Sequence, residues 1–548
     1  MNTKRHRQIP CRRESASVSP SLFLMGILSV YIFVQVSNVP FYPVKFDQAQ
    51  VLYLVRDFHQ EGVFPFHGAL NSRRAFNPPV FIWLYLLTST ISADPGWVLI
   101  LPGLALNVVA MMAIYSMAKY HFGSWIGVAA VVIYGFSPLG VYLGQSSWAQ
   151  GLLPPLYCIW LWFLHRWYHE DGQWSIFMIV FVPFFMMGIH WGGALAVGAL
   201  FLLCVSRWKK LRPLPVIIGL TAVALSWTPF IYFEMKNNFR DLEAALLSPI
   251  DIPSPSLITP LCADESGSKS EASGHTLKEI LKRDYPPLYY ALRGGAGGLA
   301  ALASNFQMGP LIQTLSLRGP PISNVIFWGE LLAFLAGLWV LLRRRLFALV
   351  VAAFFLPALL QNISPHPTVS RPDISWLFYG PQIIIMVFGM RVLVNRLYHK
   401  WTLKATVSGA LILLVLSQAV PAYKRAEAAS GGARSPQREM VEWIAEMALK
   451  DGRREISIRY DLLSERPEWC WIVAYSRLYP TYYIGAQHDY LLETFYGVQN
   501  RSKTPDGLAQ DADFVVLFRE GIRRYPDAQN TSTIGGFGPY AVIARTLP

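Results

Sequence analysis

Charge is what this sequence has least of. Only 15% of its 548 residues are Asp, Glu, Lys or Arg, against about a quarter in soluble domains. That deficit excludes an ordinary soluble chain. Cysteine is also scarce: Cys11, Cys158, Cys204, Cys262 and Cys470 are the whole set, and no two form a CxxC pair. A cysteine zinc ribbon and a dithiol redox centre are therefore excluded. No repeat of solenoid period is present. The last 127 residues hold no nucleotide-binding loop, no HExxH and no nucleophile elbow.

What is abundant is apolar. The chain is 53% hydrophobic and 14% aromatic, the composition of helices in lipid with rings at the interfaces. A bilayer crossing needs about 20 apolar residues. Runs of this kind occupy 21–39, 96–118, 125–143, 148–164, 174–190, 192–206, 213–234, 323–342, 346–361, 374–391 and 404–421. A further run, 79–92, is short, opens on a Pro-Pro pair and ends at "ADPG". Its status follows from charge. If it does not cross, one side receives Lys4, Arg5, Arg7, Arg12, Arg13, Lys119, Arg166, Arg207, Lys209, Lys210, Arg212, Arg343, Arg344, Arg345, Arg396 and Lys400, and the opposite short connections receive only Arg371. That is the positive-inside asymmetry. If it crossed, every later loop would change sides and the asymmetry would reverse. The expected architecture is a multi-pass α-helical membrane protein of about 11 spans plus juxtamembrane helices, with 79–92 at the outer interface. The net charge of +13 is then a matter of topology, and nucleic acid is not an expected partner.

This arrangement divides the chain into a basic cytoplasmic N-terminus (1–20), a transmembrane domain (21–421) with outer loops at 40–95 and 235–322, and an extracytoplasmic C-terminal soluble α/β domain (422–548). In the last, "SPQREMVEWIAEMALKDG" has helical periodicity and a terminal glycine, and "REISIRY", "DFVVLFRE" and "PYAVIART" read as strands. In the first outer loop, "FDQAQVLYLVRDFHQEG" reads as a helix closed by Gly62, with Asp47 and Gln50 spaced as a capping box. Arg56, nine residues on, falls about 180° round that helix from Asp47.

Over residues 20–400 the chain resembles GT-C type membrane glycosyltransferases, in particular the protein O-mannosyltransferase (family 39) and lipid A aminoarabinose transferase group. The likeness rests on an acidic motif opening a helix in the first outer loop (Asp47, with Gln48 where the family has Glu), on "FNPPVFIWLYLL", "AKYHFGS" and "FSPLGVYLGQSSWAQ", and on the arginine–aromatic–proline stretch "SRPDISWLFYGPQIII". The resemblance implies an inverting transfer of a sugar from a polyprenyl-phosphate carrier to a lipid, glycan or protein acceptor at the outer face of the plasma (inner) membrane. A lipid phosphate leaves as a stable anion, so the site needs positive charge rather than a general acid. The acceptor needs a base.

On that reading Asp47 is the expected general base. Arg371, the sole base of the short outer connections, is the expected phosphate ligand, with Arg56, Arg73, Arg74 and Tyr379 as further donor-binding candidates. His67, Gln145, Gln150 and Glu61 are candidates for the acceptor or sugar. No cofactor is expected. Gln48 in place of Glu, and a stretch that carries Gln145, Ser147 and Gln150 but no acid, disfavour a divalent ion, although Asp47, Glu61 and a water shell are the groups that would hold one. Two other readings stay open on the sequence. One is a surface-polysaccharide polymerase or ligase using a lipid-pyrophosphate-linked sugar. The other is a multi-pass transporter, which would call for more intramembrane charge than Glu330 and His190 supply.

Overall fold

The structure, a computed structural model, describes residues 19–69, 76–170, 172–207, 211–239, 241, 332–339, 341, 379–397, 400–461, 486–501, 512–518, 532–537 and 539–545. Helices dominate up to residue 450: α1 Pro20–Val36, α2 Phe46–Glu61, α3 Val80–Ser89, α4 Pro95–Phe122, α5 Ser124–Phe136, α6 Pro138–Gly144, α7 Ala149–Glu170, α8 Gln173–Ile189, α9 Ala194–Arg207, α10 Pro213–Lys236, α11 Tyr379–Leu397, α12 Lys400–Ser430 and α13 Pro436–Lys450. Among the described residues, α4, α10 and the stretch Pro20–Phe41 are long and apolar enough to cross a membrane. Most of the runs 323–342 and 346–361, and of the loop 235–322, lies outside the described residues. At ten residues, α3 is about 15 Å long, half the thickness of a bilayer core.

The helices pack as a bundle in which α4 touches α5 and α7, α8 touches α7 and α10, and α11 lies on α4, α5 and α7. Its core is aromatic: Tyr31, Tyr85, Tyr134, Phe136, Tyr157 and Trp160 are fully buried. Two of the polar contacts inside it show how a medium without water is met. Pro102 interrupts α4 and removes the N–H that would have bonded the Val98 carbonyl. The Thr88 hydroxyl of α3 donates to that carbonyl instead, at 2.9 Å. Asn107 accepts from the Tyr134 hydroxyl at 2.9 Å and donates to Gly103 O at 2.8 Å.

The run 125–143, expected as one span, is two helices. Ser137 is extended (ψ 155°) and caps α6 by accepting from Gly140 N at 3.0 Å. The residue before a proline is pushed out of helical geometry, and Pro138 then starts a helix well. Helix α2 forms as expected and ends at Gly62 with φ +70°, but its cap is not Asp47 with Gln50. The N-cap is Lys45, whose N–H is accepted by Gln48 Oε1 at 2.7 Å. Lysine has no acceptor to complete a capping box, so only the returning half is made, and Asp47 sits in the first turn of the helix.

Beyond residue 450 come β1 Glu455–Ile456, β2 Ile458–Asp461, α14 Ala486–Tyr496, β3 Gln499–Asn500, β4 Phe514–Phe518, β5 Ser532–Phe537 and β6 Tyr540–Arg545. The four-stranded sheet has the order β2-β4-β6-β5, with β2 and β4 parallel and the other pairs antiparallel. The three expected strands are β2, β4 and β6. Strand β5, "STIGGF", lacks the apolar alternation that marks a strand. Gly535 is there because the Trp443 indole of α13 and the Phe537 ring leave no room for a Cβ. A buried network ties this sheet to α14: Tyr460 OH donates to Asp489 Oδ1 at 2.5 Å and Asn500 Nδ2 to Asp489 Oδ2 at 3.0 Å.

His488 is fully buried between the rings of Tyr460 and Tyr540. Neither of its ring nitrogens has a hydrogen-bond partner among the described residues. Burial pushes its imidazole down to about 3. A histidine at about 6.5 when unfolded and lower when folded costs nothing above 6.5, where both states are neutral. As pH falls below 6.5 the unfolded state takes up a proton that the folded state refuses, and stability is lost at up to about 1.4 kcal/mol per unit until the folded value is reached. Thermal melts between pH 7 and 4 are expected to show this slope, and His488→Phe, which keeps the stack on Tyr460, should reduce it by one proton. An unchanged slope in the variant would assign the acid sensitivity elsewhere.

Candidate functional site

The segment that opens α2 is pinned from two sides. On the bundle side, Gln48 is 2% exposed. Its Nε2 donates to the Tyr42 hydroxyl at 3.1 Å and to Ser147 Oγ. Tyr42 and Ser147 share a further hydrogen bond of 2.7 Å, and the Tyr85 hydroxyl of α3 donates to the Ser147 carbonyl at 2.9 Å. Lys45 Nζ lies 5.7 Å from the centre of the Trp148 ring. Burial pushes the Tyr42 phenol up, against the Ser147 and Gln48 hydrogen bonds that pull it down, so it stays a neutral hydroxyl. The 144–147 turn comes close enough for this because α4 has Gly103 at the crossing, where a Cβ would press on the carbonyls of Ser146 and Gly144.

Asp47 is the residue before Gln48, so its backbone stands at the edge of this cluster, in the first turn of α2, where helix peptide dipoles favour negative charge. Its side chain lies outside the described residues. The structure therefore joins the start of α2 to the segment 145–150 through Gln48, which occupies the position where the resemblance expects a second acid. Within that segment Gln145 is half-buried and closes α6 through its backbone N–H. The Gln150 side chain meets His190 Nε2 at 3.1 Å, while His190 Nδ1 accepts from Gly192 N at 2.9 Å. That acceptance places the ring proton on Nε2 and makes the Gln150 amide oxygen its fitting partner.

On the opposite side, the C-terminal part grips the same segment. The Gln437 side chain of α13 makes two hydrogen bonds with the backbone of Val44, accepting from its N–H and donating to its C=O, both at 3.0 Å. Arg56 pairs with Glu493 of α14 at 2.5 Å and lies over the Tyr53 ring at 4.6 Å. Tyr53 meets Tyr490 edge-on at 5.1 Å. Arg438 bonds both carboxylate oxygens of Asp94, the N-cap of α4, at 3.0 and 3.1 Å. A cavity of about 280 Å³ beside that contact is lined by Asp94, Arg434, Arg438, Glu442 and Phe495.

The other expected residues are dispersed. Arg56 is committed to Glu493 and tethers α2. Glu61 is exposed at the far end of α2, about 21 Å along the axis from Asp47. His67 is packed between Phe76 and Phe233, with ring centroids 4.0 and 4.7 Å away, and donates from Nδ1 to Gly68 O at 2.9 Å. Burial pulls its imidazole down despite Gly68 and Asp241. Tyr379 is 2% exposed, with its hydroxyl on Ser137 and its ring 5.4 Å from Tyr134. It joins the "FSPLGVY" and "YGPQ" stretches inside the bundle. Arg73, Arg74 and Arg371 lie outside the described residues. Among the described residues before 450, two buried acids were not singled out from the sequence: Glu234, and Asp241, whose Oδ1 accepts from Phe76 N at 3.2 Å. Glu234 is hidden in sequence by closing an apolar run, Asp241 by falling in the stretch 235–322 that reads as a connection between spans.

Residues 77–233 match the family described as dolichyl-phosphate-mannose-protein mannosyltransferase. The whole fold is similar to the crystal structure of ArnT from Cupriavidus metallidurans bound to undecaprenyl phosphate, at 12% identity over 96% of this chain and 99% of that one, with a TM-score of 0.50. It is also similar to the Archaeoglobus fulgidus oligosaccharyltransferase in complex with zinc and sulfate, at 12% identity over 92% of this chain and 69% of that one, with a TM-score of 0.48. No curated protein matches the sequence. The chain thus resembles GT-C glycosyltransferases in fold as well as in its motifs.

Proposed function

We propose that this chain is a glycosyltransferase that moves a sugar from a polyprenyl phosphate to an acceptor at the outer face of a cell membrane, with Asp47 as general base. One observation supports this most: in a fold similar to an undecaprenyl-phosphate-bound transferase, the helix turn carrying Asp47 is locked against the segment 145–150. The acceptor O–H or N–H gives its proton to the Asp47 carboxylate as the freed electron pair attacks the anomeric carbon. The bond from that carbon to phosphate oxygen breaks, polyprenyl phosphate leaves as an anion, and the anomeric centre inverts. No proton donor to the leaving group is needed, which separates this chemistry from the carboxylate pair of glycosidases. No metal is assigned a role.

The positive-inside asymmetry supports a cytoplasmic N-terminus, eleven spans and an outer C-terminal domain from residue 422. Tyr42 and Gln48 hold the base's turn in place, and Gln145 and Gln150 face the acceptor or sugar. Arg371 holds the phosphate. A hydrogen bond to a charged group contributes about 1.5–3 kcal/mol, so Arg371→Ala should raise KM for the lipid donor by about 10- to 100-fold, with a smaller effect on kcat. Steady-state kinetics on the purified variant measure this; an unchanged donor KM would remove Arg371 from the site. The function itself is tested by mass analysis of surface glycans and glycoproteins in a strain lacking the protein. Loss of one sugar modification is expected. Unchanged glycans together with altered solute uptake would point to a transporter instead.

A further inference from the structure

At the opposite ends of α4 and α7 from the candidate site stand three histidines with no part in the chemistry above. His165 and His169 are four residues apart in the last turns of α7, so they share one face of the helix. His121 is one residue from the end of α4, which packs along α7. One ligand nitrogen from each lies within 4.8 Å of the other two, and His121 Nε2 and His165 Nε2 are 2.9 Å apart. His165 is 3% exposed, and the other two are half-buried. The Tyr120 ring closes one side, with centroids 4.9 Å from His121 and His165 and 5.1 Å from His169.

We propose that His121, His165 and His169 bind one divalent transition-metal ion, with Zn²⁺ as the best fit, and that the ion clamps the ends of α4 and α7. Three convergent imidazoles with no carboxylate among them suit zinc, copper or nickel, whereas calcium and magnesium want oxygen. Zinc–nitrogen bonds of about 2.0–2.1 Å in a tetrahedron set ligand nitrogens roughly 3.3 Å apart. The closest pair needs to open by only a fraction of an ångström, and the fourth position is left to water. The site is far from the chemistry: His165 is fifteen residues along α7 from Gln150, about 22 Å. It is a structural clamp at a busy corner. There Arg391 of α11 donates to the Phe122 carbonyl and Phe388 stacks on Phe122 at 3.8 Å.

The test uses the full chain in detergent, purified without a histidine tag, stripped with EDTA, reloaded with zinc chloride and desalted. Elemental analysis is expected to give about one zinc per chain, and His169→Asn should retain about tenfold less while eluting as the same monodisperse species on gel filtration. Zinc should raise the unfolding temperature of the unmodified protein and not that of the variant. Wild-type protein that retains no zinc above the buffer control, or a variant that retains as much, overturns the proposal. Because a variant can fail to fold, cobalt loading of the wild type gives a second reading. Intense tetrahedral d–d absorption supports the site, and a weak octahedral spectrum refutes it.

Discussion

Asp47→Asn is expected to leave the protein folded and its lipid donor bound, and to lower sugar transfer by about 100- to 10,000-fold, the usual contribution of a positioned general base. The substitution keeps size and shape but removes the negative charge, and with it the capacity to take a proton. It is structurally mild because Asp47 does not cap α2; Lys45 holds that position and Gln48 returns the bond. Expression and gel-filtration behaviour should therefore match the unmodified protein, and the loss should fall on kcat with donor KM little changed. Single-turnover transfer with saturating donor measures it. Transfer at the normal rate would move the base elsewhere, and the buried acids Glu234 and Asp241 would be the next to replace.

Gln437→Ala should produce the second large effect, from a residue remote in sequence. Its side chain satisfies both backbone groups of Val44 in a setting where Val44 is 2% and Gln437 5% exposed. Leaving a buried backbone group unpaired costs about 1–3 kcal/mol. Two such groups therefore loosen the segment before α2 by about 2–4 kcal/mol once water recovers part of the loss. That segment carries Asp47 three residues later, and displacement of a reacting group by about 1 Å can cost up to 100-fold in rate. Hydrogen exchange over residues 42–50 should rise, and kcat should fall by about 10- to 100-fold. Gln437→Glu, which keeps the acceptor for Val44 N–H and loses the donor, should fall between. Exchange confined to α13 with full activity would mean that the C-terminal part does not position the base.

Where the fold is governed by local patterning it was legible. Helix α2 with its Gly62 terminus, α13 with the glycine after its end, and strands β2, β4 and β6 follow from periodicity and end signals a few residues long. The misses have local causes of another kind. An acid at the expected cap of α2 lost to Lys45 because the Gln48 carboxamide alone closes the turn. The run 125–143 was read through Ser137-Pro138 because hydropathy does not register a backbone break. Strand β5 escaped because its Gly535 answers to the rings of Phe537 and Trp443 beside it. The site was half legible. Asp47 and the segment 145–150 stood out separately, but their junction is a contact between Gln48 and Ser147, 99 positions apart, and the clip from Gln437 to Val44 spans 393. Arg56 read as a candidate for the donor because its partner, Glu493, is remote in sequence. The histidine cluster was not legible in the sequence, because its third ring, His121, comes from a different helix.

The proposal that one site joins a polyprenyl-phosphate donor to the turn carrying Asp47 is met most directly by photolabelling. A polyprenyl phosphate bearing a diazirine next to the phosphate would be bound to the unmodified protein, irradiated, and mapped by peptide mass spectrometry. Labels on residues 42–48 and 145–150, suppressed by excess unlabelled lipid phosphate, are the expected result. Competed labelling found only on other parts of the chain would contradict it.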